Sequence, residues 1–280
     1  MRTLDVAKIK EAVTELCLKA NFELRQDILR ALKVALKKES KIGARNILKA
    51  IIENAKLAKR KRIAICQDTG FVSVFLEIGS SVILTGGDLA TAVNKGVEEA
   101  YKKGYLRKSV VDDALLRKNT GTNAPCIIHI NLVEGDRIGI IVSPKGFGSE
   151  NKGAIKMFKP TATERDIINF ILEVVKNAGP DACPPFVLGL GIGGTFDHAV
   201  HLSKKALLRP IEFRHKKKHF RLLKKDLLKA VNSLGIGPMG LGGKTTALGV
   251  NVEEFPTHIA GLPVAVSISC HATRSAERTI

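Results

Sequence analysis

The chain has 280 residues, of which 45% are hydrophobic and 5% aromatic, and it contains no tryptophan. A chain of this length and composition can bury a sizeable core, which must be aliphatic because aromatic side chains are scarce. No apolar run is long enough to cross a bilayer, and charged residues alternate with apolar ones from the start of the chain, which argues against a transmembrane segment and a signal peptide. We therefore expect a globular protein of the cytoplasm without membrane contact.

The formal net charge of +18 could indicate nucleic-acid binding, because clustered lysine and arginine side chains attract phosphates. The densest basic tracts, residues 55–62 and 209–230, contain few aromatic residues and match no zinc-finger, RNA-recognition or KH signature. This pattern favours a solvated face or a contact with an acidic partner. A basic nucleic-acid-binding protein stays as the alternative from a different functional class.

Hydrophobic periodicity predicts the secondary structure along the chain. Apolar residues at helical spacing indicate three helices in residues 1–60, with Cys17 on the apolar face of the first, where a buried and inert thiol is usual. A capping box from Thr161 to Glu164 and a stop at Gly179 bound a later helix. The remaining elements are strands at 62–66, 71–79, 184–194, 244–255 and 262–269, a hairpin over 126–146 turning at 134–136, and helices at 87–104, 161–179, 195–208 and 220–235.

The predicted strands occur both in a hairpin and between helices, which favours a mixed sheet over a doubly wound parallel one. We therefore predict an α+β (mixed α/β) fold with an N-terminal helical layer over a mixed-sheet core that is rich in glycine loops. The chain shows no internal repeat and no linker. The expected organisation is a single domain over 1–280, with a helical part at 1–60 and a core at 61–280.

Two glycine-rich stretches imitate nucleotide-binding motifs. Gly189, Gly191 and Gly194 match G-x-G-x-x-G, but Glu212, the acidic residue near the distance that an NAD site requires, does not lie in a convincing strand. We prefer a glycine turn whose N–H groups, at a helix N-terminus, could hold a carboxylate. The second stretch, 237–246, fails the Walker A spacing by one residue and precedes a strand, which favours a tight loop near an anionic ligand.

The cysteine positions allow a metal centre without requiring one. Five cysteines are an odd number and no C-x-x-C pair is present, so neither a disulfide framework nor a zinc ribbon is expected. Cys66, Cys183 and Cys270 each end or flank a predicted strand and are followed by loop residues. Three thiolates from three loops would suit a [4Fe–4S] cluster with one iron left open. The spacing alone also fits three unrelated structural cysteines.

Six blocks of sequence carry a resemblance to a known family. They are ICQDTG at 65–70, LRKSVVDDALLRKNTGTNAP at 106–125, KGFGSENK at 145–152, ACPPFVLGLGIGGT at 182–195, GIGPMGLGGKTTALGV at 235–250 and PTHIAGLPVAVSISCHATR at 256–274. Together they resemble the iron–sulfur (class I) fumarate hydratase and L-tartrate dehydratase family, and the resemblance runs from about residue 40 to the C-terminus. The chain resembles the separate α subunit of the two-subunit form, because the family's second domain would have to follow residue 280.

The resemblance implies a [4Fe–4S] cluster ligated by Cys66, Cys183 and Cys270, with one iron not ligated by cysteine. That iron would act as a Lewis acid toward the substrate rather than as a redox centre. Cys126 is then left over and is expected to pack at the start of a strand. The resemblance thus supports the cluster interpretation of the three loop cysteines.

The resemblance also implies which residues contact the substrate. Arg107 would pair bidentately with a carboxylate, and His258 would donate or accept a hydrogen bond. Asp68 would assist proton transfer, by orienting or relaying to a base on a partner subunit. The full set of expected substrate contacts is Gln67, Asp68, Arg107, Gly148 and His258.

The expected activity is the reversible hydration of fumarate to (S)-malate, the hydro-lyase reaction of the tricarboxylic acid cycle. L-Tartrate dehydratase is the nearest alternative, because the expected contacts bind features that both dicarboxylates share. A separate β subunit is expected to complete the active site, in an α2β2-type assembly. On this interpretation the chain supplies half of an active site.

Overall fold

The computed structural model describes residues 1–280. The chain forms two compact units, each built from separate stretches of sequence. The first unit comprises Met1–Arg25, Asn54–Phe147 and Arg274–Ile280, and the second comprises Gln26–Glu53 and Gly148–Thr273. The single-domain organisation expected from the sequence stays a prediction. Within the chain, no helix has the length and apolar character that crossing a membrane would need.

Eight α-helices and ten β-strands make up the regular structure. The helices are α1 (Val6–Phe22), α2 (Gln26–Lys38), α3 (Ile42–Lys61), α4 (Leu89–Lys103), α5 (Phe147–Glu150), α6 (Glu164–Ala178), α7 (Phe196–Leu208) and α8 (Lys218–Ser233). The strands are β1 (Arg2–Asp5), β2 (Phe71–Gly79), β3 (Val82–Thr85), β4 (Ile127–Val133), β5 (Ile138–Lys145), β6 (Ala154–Phe158), β7 (Phe186–Gly194), β8 (Ala247–Thr257), β9 (Leu262–Ser269) and β10 (Ala276–Thr279). Helices combined with sheets of mixed strand direction confirm the predicted α+β fold.

The first unit packs helices α1 and α4 with a four-stranded sheet in the order β10-β5-β2-β4. Asp5 caps α1 by accepting a hydrogen bond of 2.8 Å from the main-chain N–H of Ala7. The two helices approach closely at Gly96, where an added Cβ would lie 2.7 Å from the carbonyl oxygen of Lys10. The core is aliphatic, as the composition predicts, and includes the buried thiol of Cys17.

The second unit is built on a four-stranded sheet in the order β6-β9-β7-β8. Strand β7 pairs in parallel with β8 and antiparallel with β9, and its residues are buried from Phe186 to Gly193. A central strand that is buried on both faces reads as a continuous apolar and glycine run, which explains the sequence of β7. Helices α6 and α8 contribute to the core of this unit.

The first two glycines of the G-x-G-x-x-G stretch allow helix packing. The expected carboxylate-binding turn over 189–194 is therefore wrong for Gly189 and Gly191, which lie in a strand. Both glycines lie inside β7 and face helix α7. A Cβ added to Gly189 would lie 2.2 Å from the Ser203 carbonyl oxygen, and one added to Gly191 would lie 2.0 Å from the Ala199 carbonyl oxygen. The absence of side chains lets the helix lie directly on the strand. The turn itself is confined to the end of β7.

The predicted hairpin over 126–146 is wrong, although both of its strands exist. Strands β4 and β5 do not pair with each other, because β2 lies between them. Strand β2 is parallel to β4 and antiparallel to β5. The central strand of this sheet precedes both neighbours in sequence, and local turn signals at 134–136 cannot report that.

Two smaller expectations also fail. Residues 62–66 form no strand, since α3 continues to Lys61 and Arg62 adopts a left-handed conformation with φ 53°. The capping box of α6 is formed by Thr163 and Asp166 rather than by Thr161 and Glu164. The predicted stop at Gly179 is confirmed as the residue that ends α6.

Candidate active site

The segment Cys66–Gly70 connects helix α3 to strand β2 without regular secondary structure. The side chains of Cys66 and Gln67 are exposed, Asp68 is half-buried and Thr69 is buried. A thiol, an amide and a carboxylate are therefore presented by three successive residues. Such a segment keeps one conformation only if its main-chain polar groups find partners elsewhere in the molecule.

Main-chain and side-chain groups from other parts of this unit supply several of those partners. At Ile65 the main-chain N–H donates to the Asn21 carbonyl oxygen at 2.9 Å, and the carbonyl oxygen accepts from Nδ2 of Asn54 at 2.8 Å. The carbonyl oxygen of Asp68 accepts a hydrogen bond of 2.9 Å from Nη2 of Arg274. The segment is thus held at both sides of Cys66 and Gln67.

The end of the segment is held in the same way. The Tyr101 hydroxyl donates to the carbonyl oxygens of Thr69 and Gly70 at 2.6 and 3.1 Å, and Nδ2 of Asn123 also donates to Gly70 at 3.2 Å. Burial raises the pKa of Tyr101 above its ordinary value, so the phenol keeps the proton that it donates. The Thr69 hydroxyl donates to the Arg107 carbonyl oxygen at 2.7 Å, which ties the Arg107 segment to this one.

The carboxylate of Asp68 is fixed by two main-chain N–H groups. Oδ1 accepts from Gly70 at 3.0 Å and Oδ2 accepts from Phe147 at 2.8 Å. An added Cβ on Gly146 would lie 2.8 Å from Oδ2, so only glycine leaves room for this arrangement. Because each carboxylate oxygen has two lone pairs, both keep one acceptor position for a substrate or water.

The side chains of Gln67 and Arg107 contact each other directly. Nη1 of Arg107 donates a hydrogen bond of 3.1 Å to Oε1 of Gln67, and both side chains are exposed. A guanidinium has five N–H donors, so this single bond leaves its planar fork able to bind a carboxylate. The first unit therefore places Arg107 beside the segment that carries Cys66, Gln67 and Asp68. Their assignment as site residues stays a prediction.

Cys183 follows a short 3₁₀ turn in the second unit and is half-buried. Its backbone is left-handed, with φ 53° and ψ 66°, a conformation that costs a residue with a Cβ about 1–2 kcal/mol. The main-chain N–H of His271, the residue after Cys270, donates to the Cys183 carbonyl oxygen at 3.1 Å. Cys270 directly follows β9 and is also half-buried. Two of the three expected ligands thus come from adjoining segments of one unit.

The glycine loop 237–243 supports the Cys183 segment from one side. The main-chain N–H of Met239 donates to the Pro184 carbonyl oxygen at 2.8 Å. The loop is anchored by Glu39, whose Oε2 accepts the Lys244 N–H at 2.7 Å. Burial alone would raise the pKa of Glu39, but main-chain N–H groups bonded to its carboxylate lower that pKa below its ordinary value. This tight loop was expected from the sequence, and its Met239 N–H contacts the segment that follows Cys183.

Gly148 and His258 lie at exposed positions of the second unit. Gly148 belongs to α5, and an added Cβ would lie 3.3 Å from the Asp181 carbonyl oxygen. His258 follows β8, and its Nδ1 accepts a hydrogen bond of 3.2 Å from the Ala260 N–H. That bond leaves Nε2 of His258 directed away from its own turn for contact with another group. Neither residue forms a hydrogen bond with another expected site residue within this unit.

The two remaining cysteines are buried and differ from the loop cysteines. Burial raises the pKa of Cys126 to about 11, and burial together with the nearby Cys126 raises that of Cys17 further. Cys126 lies directly before β4 and donates its N–H to Oδ1 of Asn94 at 2.9 Å. The prediction that Cys126 packs at a strand start is confirmed, and so is the buried position of Cys17.

Comparison with known proteins identifies the family. A sequence model described as "Fumarate hydratase (Fumerase)" matches residues 10–279. The chain belongs to the fumarate hydratase family. It is therefore a hydro-lyase.

Relatives within the family are named as subunits. The chain is 46% identical to the putative L(+)-tartrate dehydratase subunit alpha of Methanocaldococcus jannaschii over 98% of each chain. It is 32% identical to the L(+)-tartrate dehydratase subunit alpha of Escherichia coli K12 and of Shigella sonnei, over 96% of this chain and 89% of each relative. The similarity covers nearly the whole chain, so it includes every expected site residue.

The donor set of this fumarate hydratase family member fits an iron–sulfur cluster. All five cysteines are thiols rather than disulfides. Cys66 is exposed and Cys183 and Cys270 are half-buried, whereas Cys17 and Cys126 are buried. Cys66 belongs to the first unit, and Cys183 and Cys270 belong to the second. Neither unit by itself brings together three or more His, Cys, Asp or Glu side chains as a group that could hold a metal ion. The ligand assignment of the three cysteines stays a prediction.

Sequence reasoning missed the buried polar residues that support the site. Each member of this set is buried and hydrogen-bonds the Cys66–Gly70 segment or another member: Asn21, Tyr101, Asn123 and Arg274. A buried amide or guanidinium reads from sequence as an ordinary surface residue. The block at 256–274 drew attention to Cys270. Arg274, which ends that block, was the one signal in the sequence that could have pointed to this supporting set.

Proposed function

We propose that the chain is the α subunit of an iron–sulfur hydro-lyase that interconverts fumarate and (S)-malate. The observation that carries the proposal is the grouping of Gln67, Asp68 and Arg107 beside the exposed thiol of Cys66, on a segment held by buried side chains. An amide, a carboxylate and a guanidinium are the groups that recognition and protonation of a dicarboxylate require. The family match over residues 10–279 supports this reaction class.

Each of these side chains has a task that its environment permits. The Arg107 fork binds one substrate carboxylate through two N–H groups, and Gln67 holds that fork in place through the bond to Oε1. The Asp68 carboxylate, fixed by Gly70 and Phe147, uses its remaining lone pairs to orient the group that gains or loses a proton. His258 offers Nε2 to the substrate. The negative charge that develops on the carboxylate next to the reacting carbon is stabilised by the guanidinium.

We propose Cys66, Cys183 and Cys270 as the ligands of a [4Fe–4S] cluster. When bound, the cluster would supply an iron without a cysteine ligand, which acts as a Lewis acid on substrate oxygens. Accessible thiols can become thiolates and ligands, whereas the raised pKa of Cys126 keeps that thiol protonated. The strained backbone at Cys183 also supports a functional role for this position.

The partner is proposed to be a separate β subunit, in an α2β2-type assembly located in the cytoplasm. The names of the M. jannaschii and E. coli relatives, "subunit alpha", support this proposal. The base that Asp68 orients, or to which it relays a proton, would then come from the β subunit. The isolated chain should accordingly show negligible turnover.

L-Tartrate is the second candidate substrate, since the relatives are named L(+)-tartrate dehydratase subunits. The test is to co-express the chain with its β subunit, purify the complex without oxygen, and measure kcat/KM for fumarate, (S)-malate and L-tartrate. We expect turnover of fumarate and malate. A kcat/KM for tartrate about a hundredfold above that for malate would reverse the choice of substrate, because such a ratio requires different contacts in the transition state. Absence of activity toward all three would contradict the proposed function.

A further inference from the structure

Arg274 is a buried cation with an unusual set of contacts. Its side chain belongs to a residue that is 4% exposed. Nη1 donates to Oδ1 of Asn21 at 3.1 Å, and Nη2 donates to the carbonyl oxygen of Asp68 at 2.9 Å. Nε is buried and has no hydrogen-bond partner. The guanidinium is therefore satisfied by two neutral oxygens and by no carboxylate.

Such an arrangement is not explained by stability. Removing a guanidinium from water is unfavourable, and neutral acceptors compensate for less of that cost than an ion pair does. An apolar side chain of similar volume would fill the same space without leaving Nε unsatisfied. A buried side chain with an unsatisfied polar atom is a candidate for a functional role.

The acceptors of Arg274 lie on both anchors of the Cys66 segment. Asn21 receives the Ile65 N–H on its own carbonyl oxygen at 2.9 Å, while its side chain receives Arg274. Asp68 receives Arg274 on its carbonyl oxygen, which fixes the peptide plane from which its side chain extends. A planar guanidinium can hold two acceptors at a fixed separation, which a lysine ammonium on a flexible stem does not.

The orientation of the Asp68 carboxylate depends on that peptide plane. The same carboxylate accepts the N–H groups of Gly70 and Phe147. An added Cβ on Gly146 would lie 2.8 Å from Asp68 Oδ2 and 3.6 Å from Nη2 of Arg274, so the carboxylate and the guanidinium flank the same small space. Displacement of Arg274 would therefore disturb the ligand cysteine, the amide and the carboxylate together.

We propose that Arg274 is a positioning residue, which clamps Asn21 to the Asp68 carbonyl and thereby sets the geometry of Cys66, Gln67 and the Asp68 carboxylate. The catalytic consequence rests on the proposed function, whereas the clamp itself does not. Arg274 follows Cys270 by four positions in the chain, so the stretch that supplies one expected ligand also supplies the clamp for another.

The first test measures the clamp without cluster or activity. Amide hydrogen exchange of the full-length chain is followed by mass spectrometry in peptides that cover residues 65–71 and 146–149. In Arg274→Lys we expect the Ile65, Gly70 and Phe147 amides to exchange at least about tenfold faster. Local opening of the segment would then no longer require the two hydrogen bonds of the guanidinium to break. The matched control is Arg278→Lys, an exposed arginine on β10 that pairs with Glu15 and should leave both peptides unchanged.

A second variant keeps the test valid if Arg274→Lys does not fold. Asn21→Ala removes one acceptor and should accelerate exchange in the same peptides, by a smaller factor. Unchanged exchange at 65–71 and 146–149 in the folded variants would overturn the proposal.

The second test measures the catalytic consequence in the complex with the β subunit. Per bound cluster, kcat of Arg274→Lys should fall about a hundredfold, as misplacement of a reacting group by about 1 Å can cause. Loss of stability alone would lower the fraction of active complex and leave kcat per cluster unchanged, and that result would overturn the positioning role. An inactive wild-type complex would contradict the proposed function instead, and hydrogen exchange would then decide the clamp alone.

Discussion

Nη1 of Arg107 donates a hydrogen bond of 3.1 Å to Oε1 of Gln67, which lies 40 residues earlier in the chain. The contact joins two side chains that the family resemblance implies as contacts of one substrate. An arginine that is already oriented loses less side-chain entropy when it binds a carboxylate. The guanidinium is thus prepared for its substrate by a neighbour that is itself a predicted contact.

Replacement of Arg107 by lysine tests this relationship. We expect kcat/KM of the complex to fall by about tenfold to a hundredfold, because a charged hydrogen bond contributes about 1.5–3 kcal/mol and lysine cannot bind bidentately. Cluster content should be unchanged. The control Arg165→Lys, at an exposed position of α6, should keep full activity. Equal kcat/KM in both variants would remove Arg107 from the site.

Replacement of Asp68 by asparagine tests the fixed carboxylate. The asparagine NH2 group would face the main-chain N–H of Gly70 or of Phe147, so one of these two hydrogen bonds would be lost. The amide also could not take part in proton transfer. We expect kcat to fall at least about a hundredfold, the range typical of a lost acid–base group. Asp113→Asn is the matched control, because its carboxylate also accepts two main-chain N–H groups, those of Leu115 and Leu116. A control that loses as much activity as Asp68→Asn would point to a structural effect.

Cysteine reactivity should separate the two classes of thiol. Burial raises the pKa of Cys126 to about 11, so only about one Cys126 side chain in a thousand is a thiolate at pH 8. The metal-free chain, treated with iodoacetamide and analysed by peptide mass spectrometry, should be alkylated at Cys66 and spared at Cys126 and Cys17. Because the folded state binds the Cys126 proton more tightly, stability should fall as the pH rises above the ordinary thiol pKa toward 11. Alkylation of native Cys126 as fast as Cys66 would contradict this assignment.

Strand β7 offers a test of the packing role of its glycines. Gly191→Ala would place a Cβ 2.0 Å from the Ala199 carbonyl oxygen, so α7 must move away from the strand. We expect the free energy of unfolding, measured by urea titration, to fall by about 1–3 kcal/mol or more. Gly43→Ala is the control: no atom lies within 4 Å of its added Cβ, and alanine should stabilise α3 by about 0.5–1 kcal/mol. Equal stability of the two variants would restore the turn interpretation.

The course of the main elements could be predicted because their signals are local. Helices α1 to α3 and strand β2 follow from apolar spacing within windows of a few turns or a few residues. Strands β1, β3 and β10 have four residues each, too few for a period to be recognised. The insertion of β2 between β4 and β5 is a choice among distant strands, which local spacing does not encode.

The candidate site divides in the same way. Cys66, Gln67 and Asp68 are neighbours in sequence and could be found together, and the resemblance of ordered blocks supplied Arg107. The clamp could not be found, because Arg274 and Asn21 are 253 positions apart and neither lies in a pattern that marks a buried polar pair. Satisfaction of main-chain groups in an irregular segment is visible only once the fold brings its partners near.

We propose above that three cysteines of this chain hold a catalytic [4Fe–4S] cluster. The most direct measurement combines electron paramagnetic resonance with hydratase activity, on the complex of the chain with its β subunit, before and after exposure to oxygen. With three cysteine ligands for four irons, we predict a three-iron signal that appears as activity disappears, and return of activity when ferrous iron and a reductant are added. Activity that survives oxygen without loss of iron, or an unchanged cluster content in Cys183→Ser, would contradict the proposed catalytic cluster.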